Sequence, residues 1–448
     1  MADNKENRIH KSSIEREQSQ TCLNSAEREK IKGSKNLNVP HLRFPEFSGE
    51  WEKHTLSEYL EFKNGLNPDA KRIGNGLPFI SVMDILSEGV IRYDNIRGKV
   101  DATEKEIECF GVKNGDILFQ RSSETLEDVG RANVYMDDRT AIYGGFVIRG
   151  RKIGNYDPMF FKFLLATPLA RKSTCRMGAG AQHFNIGQEG LSKILLFFPH
   201  IEEQRKIASL LSLIDQRIAT QNKIIEDLKL LRDAISDAMF CTPKQSAPRK
   251  RIKGFYSDWQ KVHLKDICSR VSQKNTNGRC DLVLTIAAKY GLVSQLDFFN
   301  KSVASENLEG YYLLQKGDFA YNKSYSSEYT CGAVKRLERY EEGVLSPLYI
   351  CFRPDPSKVN SDYLSYYFES TKWYREIMDI SVEGARNHGL LNISVVDYFN
   401  TIHRIPNMDE QKCIANVIKA IMHKISSEQT ILDCYIKQRI FLLRQMFI

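Results

Sequence analysis

Glu203-Gln204-Arg205-Lys206-Ile207-Ala208 opens a long heptad-patterned stretch, which recurs 207 residues later from Glu410-Gln411-Lys412-Cys413-Ile414-Ala415. In both copies the apolar residues follow one another at alternating steps of four and three. A stripe with this mean period of 3.5 residues is typical of a helix that packs along another helix. Because the chain carries two such stripes, it can supply its own partner helix. The predicted seam consists of Ile207, Leu211, Ile214, Ile218, Ile225 and Leu228 in the first copy and of Ile414, Ile418, Ile421, Ile425, Leu432 and Leu442 in the second.

Polar residues interrupt the seam at the same two heptad places in each copy. They are Gln221 and Arg232 in the first copy and Glu428 and Arg439 in the second. Polar seam residues cost stability but fix the register of paired helices. If the helices pair antiparallel, we expect Arg232 to approach Glu428 and Arg439 to approach Gln221. The alternative is that all four side chains lie at the edge of the seam and reach solvent.

The repeat extends beyond the helices. The Phe…Trp…Leu pattern that ends at Trp51 and Leu56 recurs at an offset of 208, and the strand-like run 115–122 recurs at an offset of 202. Offsets that drift and then return to 207 indicate two equivalent modules with loop insertions between shared landmarks. We therefore predict an α+β protein with two tandem mixed α/β domains, separated by two long helices that pair as an antiparallel coiled coil. Such a pair would hold the two globular regions at opposite ends of a rod of about 60 Å.

The domain boundaries follow from these landmarks. We predict a polar, disordered tail over residues 1–39, a first domain over 40–199, a first long helix over 200–241, a second domain over 242–406 and a second long helix over 407–448. The expected strands are 77–82, 116–120, 143–149 and 194–198 in the first domain and 282–287, 318–321, 348–352 and 399–405 in the second. Short helices are expected over 158–165 and 361–368.

Composition narrows the class of protein. The chain has 448 residues, of which 42% are hydrophobic, and a formal net charge of +8. This mild positive charge permits nucleic-acid binding without indicating it. No apolar run approaches the roughly 20 residues that span a membrane, and no secretory signal opens the chain. The ten cysteines stand singly, which is typical of reduced thiols and argues against a zinc site, so we expect a cytoplasmic protein that binds no membrane.

The order of these motifs resembles the specificity subunit of type I restriction-modification enzymes. The resemblance runs from about residue 40 to the C-terminus. It rests on Pro-x-x-x-Glu-Gln at Pro199 and Pro406, on the Phe…Trp…Leu openings and on the Gly-Asp-Ile-Leu-Phe-Gln-Arg-Ser strand from Gly115. The second copy of that strand, Gly-Asp-Phe-Ala-Tyr-Asn-Lys-Ser, matches less well. The resemblance implies that each globular region is a target recognition domain for one half of a split, non-palindromic DNA sequence. The helices would then form the spacer and the docking surface for two modification subunits and for restriction subunits.

Signatures of catalysis are missing from the sequence. It has no phosphate-binding loop, no Asn-Pro-Pro-aromatic tetrad and no Gly-x-Ser-x-Gly elbow. His183, His388 and His403 have no partner at metal-ligand spacing. Asp116 and Asp318 each follow a glycine at the start of a strand, where a turn is the simpler interpretation. We expect a non-catalytic chain that binds no cofactor, while S-adenosylmethionine, ATP and Mg bind to partner subunits.

Two polar loops in each module offer side chains suited to DNA. Arg and Lys contact guanine, Asn and Gln contact adenine, and glycine lets the backbone approach a phosphate. The alternatives are a strand end that turns back to solvent and a loop in which Asn185 and Asn392 cap the next helix. The candidate DNA-binding residues are Gln120, Arg121, Ser122, Gln182 and His183 in the first module and Asn322, Lys323, Tyr325, Arg386, Asn387 and His388 in the second.

Two other classes of function remain open at this point. A coiled-coil scaffold whose globular ends bind proteins would show no sequence-specific DNA binding. A self-contained nuclease or methyltransferase would need the catalytic motifs that the sequence lacks.

Overall fold

The computed structural model describes residues 38–180, 182–299, 307–381 and 389–448. Within them the chain divides into two compact units. The first contains the described residues up to Ala219 together with Cys434–Ile448, and the second contains Thr220–Asp433. Both divisions therefore fall inside the predicted long helices. The predicted tail lies outside the described residues except for Asn38 and Val39.

The first unit is built from short strands and helices. Its strands are β1 (Glu52–Thr55), β2 (Leu60–Asn64), β3 (Ile73–Ile80), β4 (Lys99–Val100), β5 (Gly111–Val112), β6 (Ile117–Gln120), β7 (Ser122–Ser123), β8 (Ala132–Val134), β9 (Ala141–Tyr143), β10 (Val147–Lys152), β11 (Phe184–Asn185) and β12 (Leu195–Phe198). Its short helices are α1 (Val82–Ile85), α2 (Glu104–Phe110), α3 (Pro158–Ala166), α4 (Pro168–Arg176) and α5 (Gln188–Ser192). The first long helix, α6 (Ile201–Met239), begins here and continues into the second unit.

The second unit repeats this plan. Its strands are β13 (Gln260–His263), β14 (Cys268–Arg270), β15 (Leu284–Ala287), β16 (Gly291–Ser294), β17 (Tyr312–Gln315), β18 (Phe319–Asn322), β19 (Ala333–Arg336), β20 (Glu342–Leu345), β21 (Ile350–Pro354) and β22 (Ile402–Ile405). Its short helices are α7 (Leu264–Ile267), α8 (Gln295–Phe299), α9 (Ser361–Glu369), α10 (Tyr374–Ile380) and α11 (Val395–Phe399). The second long helix is α12 (Met408–Gln445).

The sheets show which part of the repeat is shared. The first unit holds a four-stranded sheet of order β2-β10-β6-β8, and the second holds its counterpart of order β14-β21-β18-β19. Each unit also pairs its first strand with its last, β1 with β12 and β13 with β22. The remaining sheet differs: β4-β3-β9-β5 is one sheet with a parallel β3–β9 pair, whereas β15-β16 and β17-β20 are separate antiparallel pairs. The offset between equivalent residues therefore changes in the part of the chain where the strand pairing of the two modules differs.

Three predicted strands needed correction. The predicted strand 143–149 is two strands, β9 and β10, joined by a turn that contains Gly144 and Gly145. The predicted strand 77–82 ends at Ile80, because Ser81 caps α1. The predicted strand 399–405 begins at Ile402, because Phe399 ends α11. The other predicted strands and both short helices lie within two residues of the observed elements.

The long helices pair antiparallel within each unit, as predicted. In the first unit Arg439 bonds Asp215 (Nε to Oδ1, 2.5 Å) and Arg217 lies over the ring of Tyr435. In the second unit Gln221 donates to the Glu428 carbonyl (3.1 Å). The contacts thus move forward along α6 from Asp215 to Gln221 while they move backward along α12 from Arg439 to Glu428, which is the pattern of an antiparallel pair. Among the predicted seam residues, Ile207, Leu211, Ile214, Ile225, Ile414, Ile418, Leu432 and Leu442 are buried and Ile218, Leu228, Ile421 and Ile425 are half-buried.

The predicted pairing of the polar seam residues was wrong. Gln221 bonds both the backbone and the carboxylate of Glu428, so the equivalent residues of the two copies face each other. Arg232 instead pairs with its neighbour Asp233, and its guanidinium lies 3.8 Å from the Met422 sulfur. The Lys424 ammonium and the Gln221 amide lower the pKa of Glu428, so this carboxylate is charged within the seam.

A buried ion pair joins each long helix to its globular region. The Arg43 guanidinium forks onto Glu203, whose side chain is 1% exposed, with N–O distances of 2.8 and 2.7 Å. Arg251 binds Glu410 in the same way, at 2.8 Å for both contacts. The next residue completes the joint: the Gln204 amide accepts from Asp157 N (3.1 Å) and donates to Pro199 O (2.9 Å). These bonds explain why proline, glutamate and glutamine occur together in both copies.

We predict that Arg43→Ala lowers the free energy of unfolding by about 3–5 kcal/mol, because it leaves the buried Glu203 carboxylate without a partner. Urea denaturation of the full chain measures this loss. Lys193→Ala is the control, since its ion pair with Glu189 is exposed to solvent and should leave the midpoint unchanged. Equal midpoints for the two variants would contradict a structural role for the Arg43–Glu203 pair.

His403 is a buried core residue, in agreement with its lack of metal-spaced partners in the sequence. Thr401 Oγ1 donates to Tyr398 O (2.7 Å), so it accepts from Nε2 of His403 (2.9 Å). Tyr367 can then donate its hydroxyl to Nδ1 (3.0 Å). Burial lowers the pKa of His403 to about 3, and the neutral ring is fully hydrogen-bonded.

This burial makes stability depend on pH. The unfolded chain binds a proton at His403 near pH 6.5, whereas the folded chain binds it only near pH 3. We therefore expect the free energy of unfolding to be fully retained above about pH 6.5 and to fall by up to about 1.4 kcal/mol per pH unit below it. His403→Gln should remove this slope between pH 6.5 and 5. Parallel stability curves for the two proteins would show that His403 is not its source.

Candidate nucleic-acid interface

The fold brings together the two loops that the sequence singled out in the first module. Strands β7 and β11 pair antiparallel, with Ser122 opposite Asn185 and Ser123 opposite Phe184. Ile186 N also donates to Arg121 O (3.0 Å). Residues 121–123 and 182–185 therefore form one continuous surface at the end of the four-stranded sheet β2-β10-β6-β8.

The side chains on this surface differ in their exposure. Arg121 is half-buried and its Nη1 lies 3.3 Å from Gly145 O, while Gln182 and His183 are exposed. The Ser122 hydroxyl bonds the Asn185 amide oxygen. Gln120 is only 5% exposed, and its amide donates inward to Ser122 O (2.9 Å). Gln120 therefore supports the loop from inside, and we no longer propose it as a base contact.

The second module forms the equivalent loop pair. Leu391 N donates to Lys323 O (2.9 Å), and Tyr325 N donates to Gly389 O (3.0 Å). Tyr325 is exposed, Lys323 is half-buried, and the Asn322 amide oxygen accepts from Ser324 N (3.0 Å). Arg386, Asn387 and His388 lie outside the described residues.

The helix-capping alternative for the asparagines was wrong for Asn185. Its side chain bonds Ser122, and α5 begins after Gly187. In the second module it is the Ser394 hydroxyl that accepts from Asp397 N and caps α11 (3.1 Å).

Asp116 and Asp318 have structural roles that match the turn interpretation. Asp116 accepts from Lys113 N (2.9 Å) and Lys152 N (3.2 Å), and burial raises its pKa. Asp318 accepts from Gln315 N (2.8 Å) and pairs with Arg353. Among the described residues, no group of three or more His, Cys, Asp or Glu side chains could hold a metal ion. Nor is any described helix both long and apolar enough to cross a membrane.

Known proteins with similar sequence share one family. The profile of the type I restriction modification DNA specificity domain matches residues 48–230. The MjaVIII specificity subunit of Methanocaldococcus jannaschii is 22% identical over 85% of this chain and 87% of its own length. The MjaX specificity subunit of that organism is 25% identical over 51% of this chain, a match that spans about half of that protein. The chain is therefore similar to specificity subunits of type I restriction-modification enzymes over most of its length.

A solved structure has the same fold as this chain. The type I restriction-modification S subunit of M. genitalium superposes with a TM-score of 0.52 at 14% identity. The match covers 92% of this chain and 99% of that one, so both modules and both long helices share its fold.

Sequence reasoning missed several residues that shape the two modules. Arg171 on α4 donates to Glu127 O (2.8 Å) and Val129 O (2.6 Å), which fixes the chain just before Gly130, and burial lowers its pKa. Lys172 and Arg176 on the same helix are exposed. Arg43 and Arg251 also went unnoticed, although an arginine stands eight residues before the tryptophan in both copies.

We predict that Arg121→Ala costs about 1–3 kcal/mol of DNA binding and alters sequence preference, because a guanidinium can fork onto a base edge. Binding to a pool of duplexes at several salt concentrations measures both effects. A phosphate contact would instead weaken all sequences alike and lower the salt slope. Unchanged binding to every sequence would remove Arg121 from the interface, and Lys193→Ala serves as the matched loss of an exposed cation.

Proposed function

We propose that this chain acts as a specificity subunit that binds a bipartite, non-palindromic DNA target and contacts one half-site with each module. Double-stranded DNA is the ligand, and the paired loops of each module are the contact surface. The chain itself performs no reaction in this proposal. It selects the site at which partner subunits act, in the cytoplasm.

The observation that carries the proposal is the duplication of the loop pair. Each module ends its central sheet in a loop held by backbone bonds to a second loop, at Arg121–Ile186 and at Lys323–Leu391. Each loop pair presents a cation followed by a serine at the same position, but the next residue is Ser123 in one module and Tyr325 in the other. Equivalent frames with different side chains suit two half-sites of different sequence, since direct readout depends on side-chain identity.

The partners and cofactors follow from the family. We propose two modification subunits that bind S-adenosylmethionine and methylate adenine, and restriction subunits that use ATP and Mg. No cofactor is assigned to this chain.

The test is a map of methylated adenines in cells that express this chain with its modification subunits. We expect one split motif with two unlike halves at a fixed spacing. Methylation that depends on this chain but shows a single unsplit motif would contradict the proposal. A chain that acts only as a protein scaffold would leave the methylated positions unchanged when it is deleted.

A further inference from the structure

A tight turn lies directly beside the cationic loop residue in each module. In the first unit, Val147 N donates to Gly144 O (2.9 Å) and closes a β-turn over residues 144–147. In the second, Tyr349 N donates to Ser346 O (3.2 Å) and closes a β-turn over residues 346–349. The two turns are 202 residues apart, the same offset that relates Arg121 to Lys323.

The third residue of each turn is a large apolar side chain exposed to solvent. Phe146 is 68% exposed and Leu348 is 77% exposed. A single exposed apolar residue is ordinary on a protein surface. Here, however, the exposure recurs at the same turn position in two modules whose turns share no residue, Gly-Gly-Phe-Val and Ser-Pro-Leu-Tyr.

Strand register places each apolar residue opposite the loop cation. Gln120 pairs with Val147, and Arg121 N donates to Phe146 O (2.9 Å). Tyr321 pairs with Ile350, so the same register continued by two residues puts Lys323 opposite Leu348. The first module thus presents one cation and one apolar side chain as cross-strand neighbours, and the second carries Lys323 and Leu348 at the equivalent positions.

Both turns are held rigid, by different means. A Cβ atom added at Gly145 would lie 1.8 Å from the Asn67 amide oxygen, and one added at Gly65 would lie 2.1 Å from Gly144 O. The first turn therefore packs closely against residues 65–67. The second turn contains Pro347, whose ring restricts φ at the second turn position. A preorganised side chain loses little conformational freedom when it binds.

We propose that Phe146 and Leu348 are specificity-determining residues that contact thymine methyl groups, one in each half-site, beside the contact made by Arg121 or Lys323. This inference rests on the proposed function. Apolar side chains recognise the thymine C5 methyl in the major groove, while a neighbouring cation contacts a base or phosphate. The difference in size between Phe and Leu gives the two half-sites different apolar contacts.

The test begins with the full chain bound to its modification subunits and a library of random duplexes, which yields the motif. Each thymine of the motif is then replaced by deoxyuridine, which removes only the methyl group. We expect one replacement in one half-site to weaken binding about 4-fold for the natural chain, as expected for one buried methyl group, and less than about 2-fold for Phe146→Ala. Leu348→Ala should lose the same sensitivity in the other half-site only.

Met83→Ala and Val396→Ala are the matched controls, since both remove an exposed apolar side chain and should keep the natural sensitivity. All four positions are on the surface, so the variants should fold normally. The inference is overturned if the alanine variants respond to every deoxyuridine replacement as the natural chain does. A library that yields no split motif for the natural chain would instead contradict the proposed function itself.

Discussion

The rest of the structure depends on a buried carboxylate at the start of each long helix. Glu203 is held by Arg43, and Glu410 by Arg251, through paired N–H···O bonds in a site that water hardly reaches. The following glutamine bonds the backbone at the cap of α3 or α9, through Asp157 N or Asn360 N. Three separate segments therefore meet at one joint in each unit. Because a buried charge without a partner is strongly destabilising, this joint holds the helix and the globular region in one arrangement.

The two modules share one set of strand pairings and differ in the remaining strands and in the side chains of their loops. The four-stranded sheet and the pairing of first and last strands are the same in both, whereas the remaining strands form one mixed sheet in the first unit and two separate antiparallel pairs in the second. Loops at the end of the shared sheet carry Arg121 with Phe146 in one module and Lys323 with Leu348 in the other. A common fold with different side chains suits the proposed recognition of two different sequences, since base contacts depend on the side chains and phosphate contacts set the position of the protein on the duplex.

The sequence predicted the elements with long, regular patterns and failed where tertiary packing decides. Both long helices were predicted to within three residues at each end, because a 3.5-residue period sustained over about ten turns is typical of a long paired helix. The predicted partner of Glu428 was wrong because the register of two paired helices depends on which of their turns lie side by side. The spacing of apolar residues along one helix does not determine this. Gln120 was expected at the surface, but β6 is buried on both faces, so the alternation that marks a half-exposed strand is absent. The sequence did not indicate the turn at Gly144, because apolar residues of β9 and β10 flank it on both sides.

We propose that the equivalent loops of the two modules contact the two halves of one DNA target. Photocrosslinking of the full complex to its target, with 5-iodouracil in place of single thymines, tests this most directly. We predict crosslinks to residues 121–123, 144–147 or 182–185 from one half-site and to residues 323–325 or 346–349 from the other. Crosslinks from both half-sites to a single module, or to the long helices alone, would contradict it.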